Sequence, residues 1–229
     1  MLPSQTVENY LKTIYLAQAS QASPQELVPV GQLAAALRVV PGTATTMMKT
    51  LAESGLVRYE PYLGVRLTKA GEKIASLVLR RHRLIELFLV KVLGMSWAEV
   101  HDEAEQLEHA VSERLIDRID EMLGRPEVDP HGDPIPTAEG RMPRPDHLDL
   151  LTAPVSVPLV VTRVIDQDPG FLRFVEQHHL MPGCTVTIEG REPSSDAVRL
   201  RSQSGERVSI GARAAAKVLA RAKGESVKG

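Results

Sequence analysis

A short acidic run that begins at His101 and ends at His109 carries the side chains best suited to chemistry in this chain. If the run is helical, its two histidines and two of its glutamates fall at positions i, i+4, i+7 and i+8, which share one helix face. These four residues are His101, Glu105, Glu108 and His109. Imidazole and carboxylate together favour a divalent ion such as manganese, iron, zinc or cobalt.

A second pair of potential ligands lies upstream, where His82 precedes an apolar run at 84–90 and Glu86 lies inside it. His82 and Glu86 are again one helical turn apart, at i and i+4. Two neighbouring helices that each carry such a pair can enclose a metal ion between them. The plainer interpretation is that all these residues are ordinary exposed polar side chains, and the residues alone leave that alternative open.

Charge is distributed unevenly along the 229 residues. Residues 76–150 contain 16 Asp and Glu against 9 Lys and Arg, whereas the flanking parts of the chain are weakly basic. The acidic excess coincides with the potential ligands and therefore favours a bound cation. The proportions of hydrophobic and charged residues, 43% and 24%, are those of an ordinary globular protein of one to three domains.

The single cysteine, Cys184, excludes an intramolecular disulfide and agrees with a reducing compartment. The N-terminus has no basic segment followed by an apolar one, so no signal peptide is expected. The longest apolar stretch, near 84–93, contains Glu86 and Lys91 and is too short to span a bilayer. These features predict a cytoplasmic protein without a membrane partner.

Residues 1–75 predict a winged helix-turn-helix domain. The predicted elements are helices at 4–19, 30–37 and 43–54 and strands at 55–60 and 65–68. The first helix has an apolar stripe at helical spacing, and Asn9 and Lys12 lie off that stripe. A turn is expected at 39–42, and the two strands form the hairpin of the wing.

This order of elements predicts DNA binding. Hydroxyl and methyl groups of the third helix would face the major groove, and basic side chains of the wing would lie near phosphates. The predicted DNA contacts are Thr43, Thr45, Thr46, Lys49, Arg58, Arg66 and Lys69. A winged helix used only for protein contacts is the alternative.

Residues 76–146 predict a helical domain. One long helix spans about 74–93, and it has more apolar positions than one face of a small domain can bury. A dimer interface would bury the remaining apolar residues. The sequence therefore predicts a homodimer.

A further helix is expected to start at Ser96, because Glu99 three residues later completes a capping box. It would carry the ligand face described above, with Leu107 and Leu115 on its core side, and stay helical to about residue 124. The rigid Pro/Gly turn that follows contains His131, either as a further ligand or as a hydrogen-bonded turn residue.

Residues 147–229 contain many short strand-like segments and one short helix that starts near Asp168. Many short strands in a unit of this size are typical of a small β-barrel, and the order of elements predicts an SH3-like barrel. The overall fold class is therefore mainly α with small β parts.

The motifs now assembled resemble the diphtheria-toxin-repressor family of metal-dependent bacterial regulators. The residues that carry the resemblance are Glu8-Asn9-Tyr10-Leu11-Lys12-Thr13-Ile14-Tyr15, His82-Arg83-Leu84 with Glu86, Val100-His101-Asp102-Glu103-Ala104-Glu105 with Leu107-Glu108-His109, and the turn from Asp129 to Pro136. The resemblance is specific over about residues 4–140 and weaker beyond, where the barrel is similar to that of ferrous-transport accessory proteins. It implies a homodimer that binds operator DNA when loaded with ferrous or manganous ion.

The resemblance also implies two metal sites. The primary site would use Asn9, Glu105, Glu108 and His109. The ancillary site would use His82, Glu86 and His101, completed by the C-terminal domain, where Asp166 and Gln167 are the candidates.

Two departures from the family patterns bear on the metal. The iron-sensing pattern has a cysteine at the position of Glu105 and a methionine at that of Asn9, so oxygen donors replace both sulfur ligands here. Oxygen donors favour manganese first and ferrous iron second. The manganese-regulator pattern has acidic residues at the positions of Asn9 and Lys12, and a charged Lys12 cannot ligate, which argues against a closely bridged pair of ions.

The expected mechanism is metal activation of DNA binding. Without metal, the acidic face repels itself and the first helix is not fixed to the middle domain, and an ion would join Asn9 to that face. A winged-helix regulator that does not depend on metal remains the alternative. A metalloenzyme is disfavoured, because the chain shows no separate general base and no Gly-rich phosphate loop.

Overall fold

The computed structural model describes residues 4–21, 23, 25–143, 147–192, 194 and 196–223. Internal contacts divide the chain into two compact units. The first unit comprises residues 1–82, 108–111 and 136–142, and the second comprises residues 83–107, 112–135 and 143–229. The part of the chain described contains no helix that is long and apolar enough to cross a membrane.

The first unit begins with the winged helix-turn-helix. Its elements are α1 (Gln5–Ala19), α2 (Val30–Ala36), α3 (Pro41–Glu53), β1 (Val57–Glu60) and β2 (Gly64–Leu67). Ser4 caps α1 by accepting a hydrogen bond from the backbone N–H of Val7. All five elements contribute to one buried core, in which Leu11, Leu33 and Met48 are fully enclosed. The predicted fold of this part is confirmed.

The third helix starts two residues earlier than the sequence predicts. A turn is expected at 39–42, but Pro41 and Gly42 are the first residues of α3. Proline suits this position because the first helical N–H groups have no intrahelical acceptor. Thr43 therefore lies inside the first turn of the helix rather than at its start.

Three helices follow the wing, namely α4 (Lys69–Lys91), α5 (Val100–Leu107) and α6 (Glu113–Met122). The prediction that the helix after Ser96 continues without interruption to Leu115 is wrong. Ser112 caps α6, because its hydroxyl accepts a hydrogen bond from the Leu115 N–H at 3.3 Å. A new helix start of this kind interrupts the apolar periodicity that suggested one long helix.

The interruption changes the geometry of the ligand run. His101 and Glu105 lie one turn apart on α5, but Glu108 and His109 lie in the turn after it. The four residues do not share one helix face. The segment that carries Glu108 and His109 belongs to the first unit, together with α1.

Large apolar side chains remain exposed on or next to the helices of the second unit. Leu107 and Leu115, which the sequence assigns to a core face, are 37% and 50% exposed. Val92, Leu93 and Met122 are exposed as well. Apolar exposure on this scale marks a protein interface.

The second unit also contains a six-stranded antiparallel sheet with the order β3–β8–β4–β5–β6–β7. Its strands are β3 (Leu148–Asp149), β4 (Pro158–Val164), β5 (Thr185–Glu192), β6 (Ala197–Ser202), β7 (Arg207–Gly211) and β8 (Val218–Ala222), with helices α7 (Pro169–Gln177) and α8 (Ala212–Ala215). Register shifts on β4 and β5 bend the sheet. Leu159, Val161 and Ile188 line the core, and the predicted small SH3-like barrel is confirmed.

Candidate metal centres and nucleic-acid interface

A group of polar side chains, here called the α1 cluster, lies in the first unit; all of its members are buried except Asn9 and His109, which are half-buried. Its members are Glu8, Asn9, Lys12, Arg81, His82, Glu108 and His109. They come from α1, from α4 and from the turn after α5. The amphipathic pattern places Lys12 off the apolar stripe, but Lys12 and Glu8 are only 6% and 5% exposed.

His109 connects the turn after α5 to α1. Its Nδ1 atom lies 2.6 Å from Oε2 of Glu8, and its Nε2 atom lies 2.6 Å from Oδ1 of Asn9. Oε1 of Glu108 is 3.2 Å from the same Nε2 atom. Three of the four predicted primary ligands, Asn9, Glu108 and His109, are therefore brought together. A neutral imidazole carries a hydrogen on one nitrogen only, so the other nitrogen is available to a cation.

Glu108 is completely buried and is held by two side chains. Lys12 Nζ donates to Oε1 at 2.7 Å, and His82 Nδ1 lies 2.6 Å from Oε2. Burial alone would raise the pKa of Glu108, but the hydrogen bond from His82 and the charge of Lys12 outweigh burial and hold that pKa below its ordinary value. His82 is thus a partner of Glu108 within the first unit.

Glu8 is paired in the same way, because Arg81 donates to Oε1 of Glu8 at 2.8 Å. The α1 cluster thus contains two buried carboxylates and two buried cations, and its formal charge is balanced when the histidines are neutral. The repulsion expected at Glu108 in the absence of metal does not arise in this unit. Sequence reasoning missed Arg81 and the burial of Glu8 and Lys12, although Glu8 and Lys12 stand at i and i+4.

A second group, here called the Glu86 cluster, is buried in the second unit. It consists of Glu86 on α4 and of Asp129 and His131 in the turn 129–136, and ligand atoms of the three residues lie within 4.8 Å of one another. His131 Nδ1 is 3.9 Å from Oε2 of Glu86 and 4.0 Å from Oδ1 of Asp129. Metal–ligand bonds of roughly 2.0–2.2 Å fit between atoms at such distances.

The orientation of His131 suits a metal ligand. Its Nε2 atom lies 2.9 Å from the carbonyl oxygen of Trp97, so Nε2 carries the hydrogen and Nδ1 carries a lone pair. That Nδ1 atom is buried and has no hydrogen-bond partner in the part of the chain described. A lone pair that faces two carboxylates is unfavourable unless a cation or a proton lies between them. The residues present therefore fit a divalent ion.

Asp129 has a strongly perturbed acidity. Burial, followed by the charges of Asp133 and Glu86, raises the pKa of Asp129 well above its ordinary value, and Arg83 opposes this shift only in part. Oδ1 of Asp129 accepts hydrogen bonds from the backbone N–H groups of His131 and Asp133 at 2.8 and 2.9 Å. These bonds fix the turn, and a bound cation would favour the ionised carboxylate.

Gly132 lets this turn approach β4. Its φ is +84°, and a Cβ atom there would lie 1.9 Å from the carbonyl oxygen of Thr162. The Val164 N–H donates to the His131 carbonyl oxygen at 2.8 Å. Only glycine allows this contact, which positions His131 next to Glu86.

The other predicted ancillary ligands of the second unit lie around this cluster. His101 is 47% exposed, and its Nδ1 atom is 3.3 Å from Oε1 of Glu86, whereas its Nε2 atom is 3.9 Å from Oε1 of Glu105. Glu86 therefore has a buried side toward His131 and a more open side toward His101. Asp129 and His131 extend the set that the sequence predicts for the ancillary site.

Asp166 and Gln167 make other contacts. Lys217 donates to Asp166, and this hydrogen bond is the main reason that the pKa of Asp166 is lowered. Gln167 Nε2 donates to Oδ2 of Asp133 at 2.9 Å, two residues from His131 along the turn. Their role as ligands stays a prediction.

The winged helix presents the predicted DNA contacts at its surface. Thr43, Thr46, Lys49, Arg58 and Lys69 are exposed, and Thr45 and Arg66 are half-buried. The hydroxyls of Thr45 and Thr46 donate to backbone carbonyls one turn earlier, at 2.9 and 3.0 Å, and keep their lone pairs for a DNA donor.

Two features of the wing bear on its partner. Arg58 and Arg66 are directly opposite each other in the β1–β2 register. Like charges in that position repel each other, and a phosphate next to the pair would relieve part of that repulsion. Tyr62 and Leu63 at the wing tip are fully and 65% exposed, and sequence reasoning missed both.

Three family models match the chain. The iron dependent repressor N-terminal DNA binding domain matches residues 3–65, the iron dependent repressor metal binding and dimerisation domain matches residues 68–137, and the FeoA domain matches residues 148–222. The iron-dependent repressor IdeR of Mycobacterium tuberculosis is 30% identical over 196 residues, which are 80% of this chain and 84% of that protein.

Solved structures are similar over almost the whole chain. A manganese-dependent transcriptional repressor in complex with manganese is 39% identical, with a TM-score of 0.86 over 95% of this chain and 100% of the other. ScaR with bound Zn²⁺ is 31% identical, with a TM-score of 0.75 over 96% of this chain and 100% of the other.

Proposed function

The chain belongs to the iron-dependent repressor family, and from this premise we propose that it is a transcriptional repressor whose binding to operator DNA is activated by manganese. The family consists of metal-dependent DNA-binding regulators that act as dimers through a metal-binding and dimerisation domain, and not of enzymes. Its members bind divalent metals. The exposed apolar residues just after α4 and on α5 and α6 would supply a surface for the dimer.

The single observation that carries metal dependence is the buried Nδ1 atom of His131. It has no hydrogen-bond partner among the described residues and lies 3.9 Å from a Glu86 oxygen and 4.0 Å from an Asp129 oxygen. Glu86, Asp129 and His131 would hold one ion, and His82, His101, Asp166 and Gln167 are candidates to complete that set. Asn9, Glu105, Glu108 and His109 would hold an ion at the primary site.

The choice of manganese rests on the chemistry of the donors. Neither proposed set contains a sulfur ligand, and the carboxylate and amide oxygens in both sets suit manganese. Ferrous iron is the second choice. A bound divalent ion would supply electrostatic attraction between the side chains that hold it.

We also propose three functional parts, at 1–75, 76–146 and 147–229. The family-model matches support these divisions, although residues 144–146, at the second boundary, lie outside the described residues. The first part would bind DNA through Thr43, Thr45, Thr46, Lys49, Arg58, Arg66 and Lys69. A DNA partner supports the proposal that the protein acts in the cytoplasm.

The coupling between metal and DNA would run through α1. Asn9 belongs to this helix of the DNA-binding domain, and His109 to the segment after α5, and the two residues are 2.6 Å apart. An interaction that holds both would fix α1 against that segment and favour the DNA-binding conformation. By linkage, DNA must then tighten metal binding by the same factor.

The test is fluorescence anisotropy of a labelled duplex from the region upstream of the protein's own gene, at fixed salt. Protein is titrated under chelator, then with manganese, then with ferrous iron. Binding that requires manganese, and is weaker with iron, supports the proposal. Tight binding that ignores the chelator would favour the metal-independent regulator instead.

A further inference from the structure

The ammonium group of Lys12, on α1, contacts Glu108, which is a predicted metal ligand of the first unit. Its Nζ atom lies 2.7 Å from Oε1 of Glu108, and the two side chains are 8% and 0% exposed. The residues are 96 positions apart in the sequence. This pair links α1 to the turn after α5 without any metal ion.

The contacts of Glu108 limit how it can bind metal. A carboxylate that bridges two ions gives one oxygen to each of them. Here Oε1 is held by Lys12 and Oε2 is held by His82, and both of these partners are buried. Each oxygen therefore keeps one further lone pair, and that of Oε1 is on the side of His109 Nε2, 3.2 Å away.

The charges in the α1 cluster also disfavour a second ion on Glu108. Glu8 and Glu108 are each paired with a buried cation, Arg81 and Lys12 respectively. A second divalent ion on Glu108 would have to lie next to the Lys12 ammonium in a region screened from water, where like charges repel strongly.

We propose that the Lys12 ammonium takes the place of one cation in the α1 cluster, so that this cluster accepts a single divalent ion and holds α1 in place before the ion binds. The inference rests on the proposed function, because it assumes that Asn9, Glu108 and His109 bind manganese. It follows that a metal ion in this cluster strengthens the attachment of α1 to the turn after α5, which the Lys12–Glu108 pair already provides.

The experiment uses the full chain and three variants, Lys12→Glu, Lys12→Met and, as a matched control on the exposed surface of α3, Lys49→Met. Manganese stoichiometry is measured by isothermal titration calorimetry, and electron paramagnetic resonance of the bound manganese distinguishes isolated ions from spin-coupled pairs. Thermal unfolding under chelator reports the attachment that is present without metal.

Wild type is expected to show isolated manganese ions only. Lys12→Glu is expected to bind one more ion per protomer and to show a spin-coupled pair. Lys12→Met leaves Glu108 without its cation, and we expect its melting temperature under chelator to fall by roughly 10 °C, whereas Lys49→Met stays within about 2 °C.

A spin-coupled manganese pair in the wild type would overturn the inference, and so would an unchanged melting temperature in Lys12→Met. The wild-type spectrum needs no variant to fold, so the inference stays falsifiable if Lys12→Glu is unstable. Wild type that binds no manganese would instead overturn the proposed function.

Discussion

His131 Nδ1 lies 3.9 Å from Oε2 of Glu86, and both side chains are 1% exposed. The carbonyl oxygen of Trp97 holds the other ring nitrogen, so the lone pair of His131 is directed at a buried carboxylate. An arrangement of this kind is stable when a cation lies between the two groups.

The replacement His131→Gln should weaken manganese binding at least tenfold, because the amide cannot supply an equally basic nitrogen at the same position. Isothermal titration calorimetry measures the change. His179→Asn is the matched control, since His179 is exposed and asparagine tolerates its positive φ of 53°. Equal manganese affinity in wild type and His131→Gln would remove His131 from the site.

The replacement Asn9→Leu should abolish the gain in DNA affinity that manganese produces while leaving the fold intact. Leucine has no oxygen that could bind an ion and no polar atom to contact His109 Nε2. Anisotropy under chelator and with manganese measures the gain, and circular dichroism checks the fold. Asn9→Asp keeps an oxygen donor and should keep the gain. A metal-responsive Asn9→Leu protein would contradict the role of Asn9.

The replacement Arg58→Ala should weaken binding to all DNA sequences alike. If the side chain contacts one phosphate, the slope of log affinity against log salt should fall by about 0.9. Stability should not suffer, because the change also removes a like-charge pair with Arg66. Arg173→Ala, on exposed α7, is the control and should leave the slope unchanged. Sequence-dependent losses would instead assign Arg58 to base contacts.

Manganese binding should release protons and weaken as pH falls. Burial raises the pKa of Asp129, so this carboxyl binds a proton at pH values where an ordinary aspartate is ionised. The proton must leave before the oxygen can bind an ion, and the effect should extend from the ordinary carboxyl range upward to the raised pKa. Calorimetry in buffers of different ionisation enthalpy counts the protons. No proton release anywhere in that range would exclude Asp129 as a ligand.

Much of the fold could be predicted because local signals agree with it. The apolar spacing of α1, the hairpin after α3 and the cap at Asp168 all indicate the elements that form. The break between α5 and α6 could not be predicted in this way. The capping group of Ser112 lies inside a run whose apolar spacing continues across it, and two local signals then conflict.

The candidate sites depend on contacts that local patterns do not contain. The sequence pattern places Lys12 on the polar face of α1. It is nevertheless buried, because it pairs with Glu108, which is 96 residues away in the sequence. The position of His131 depends on the approach of Gly132 to β4, which only the packed barrel determines. Ligand types could therefore be predicted from the sequence, whereas their partners required the tertiary structure.

The most direct test of the central claim is the dissociation constant for manganese with and without the operator duplex, measured at the same salt and pH. Coupling through α1 requires that the duplex tighten manganese binding, and coupling energies of this kind correspond to about 5- to 150-fold. The factor must equal the one by which manganese tightens DNA binding. Manganese affinity that is the same with and without the duplex would contradict a metal-activated repressor.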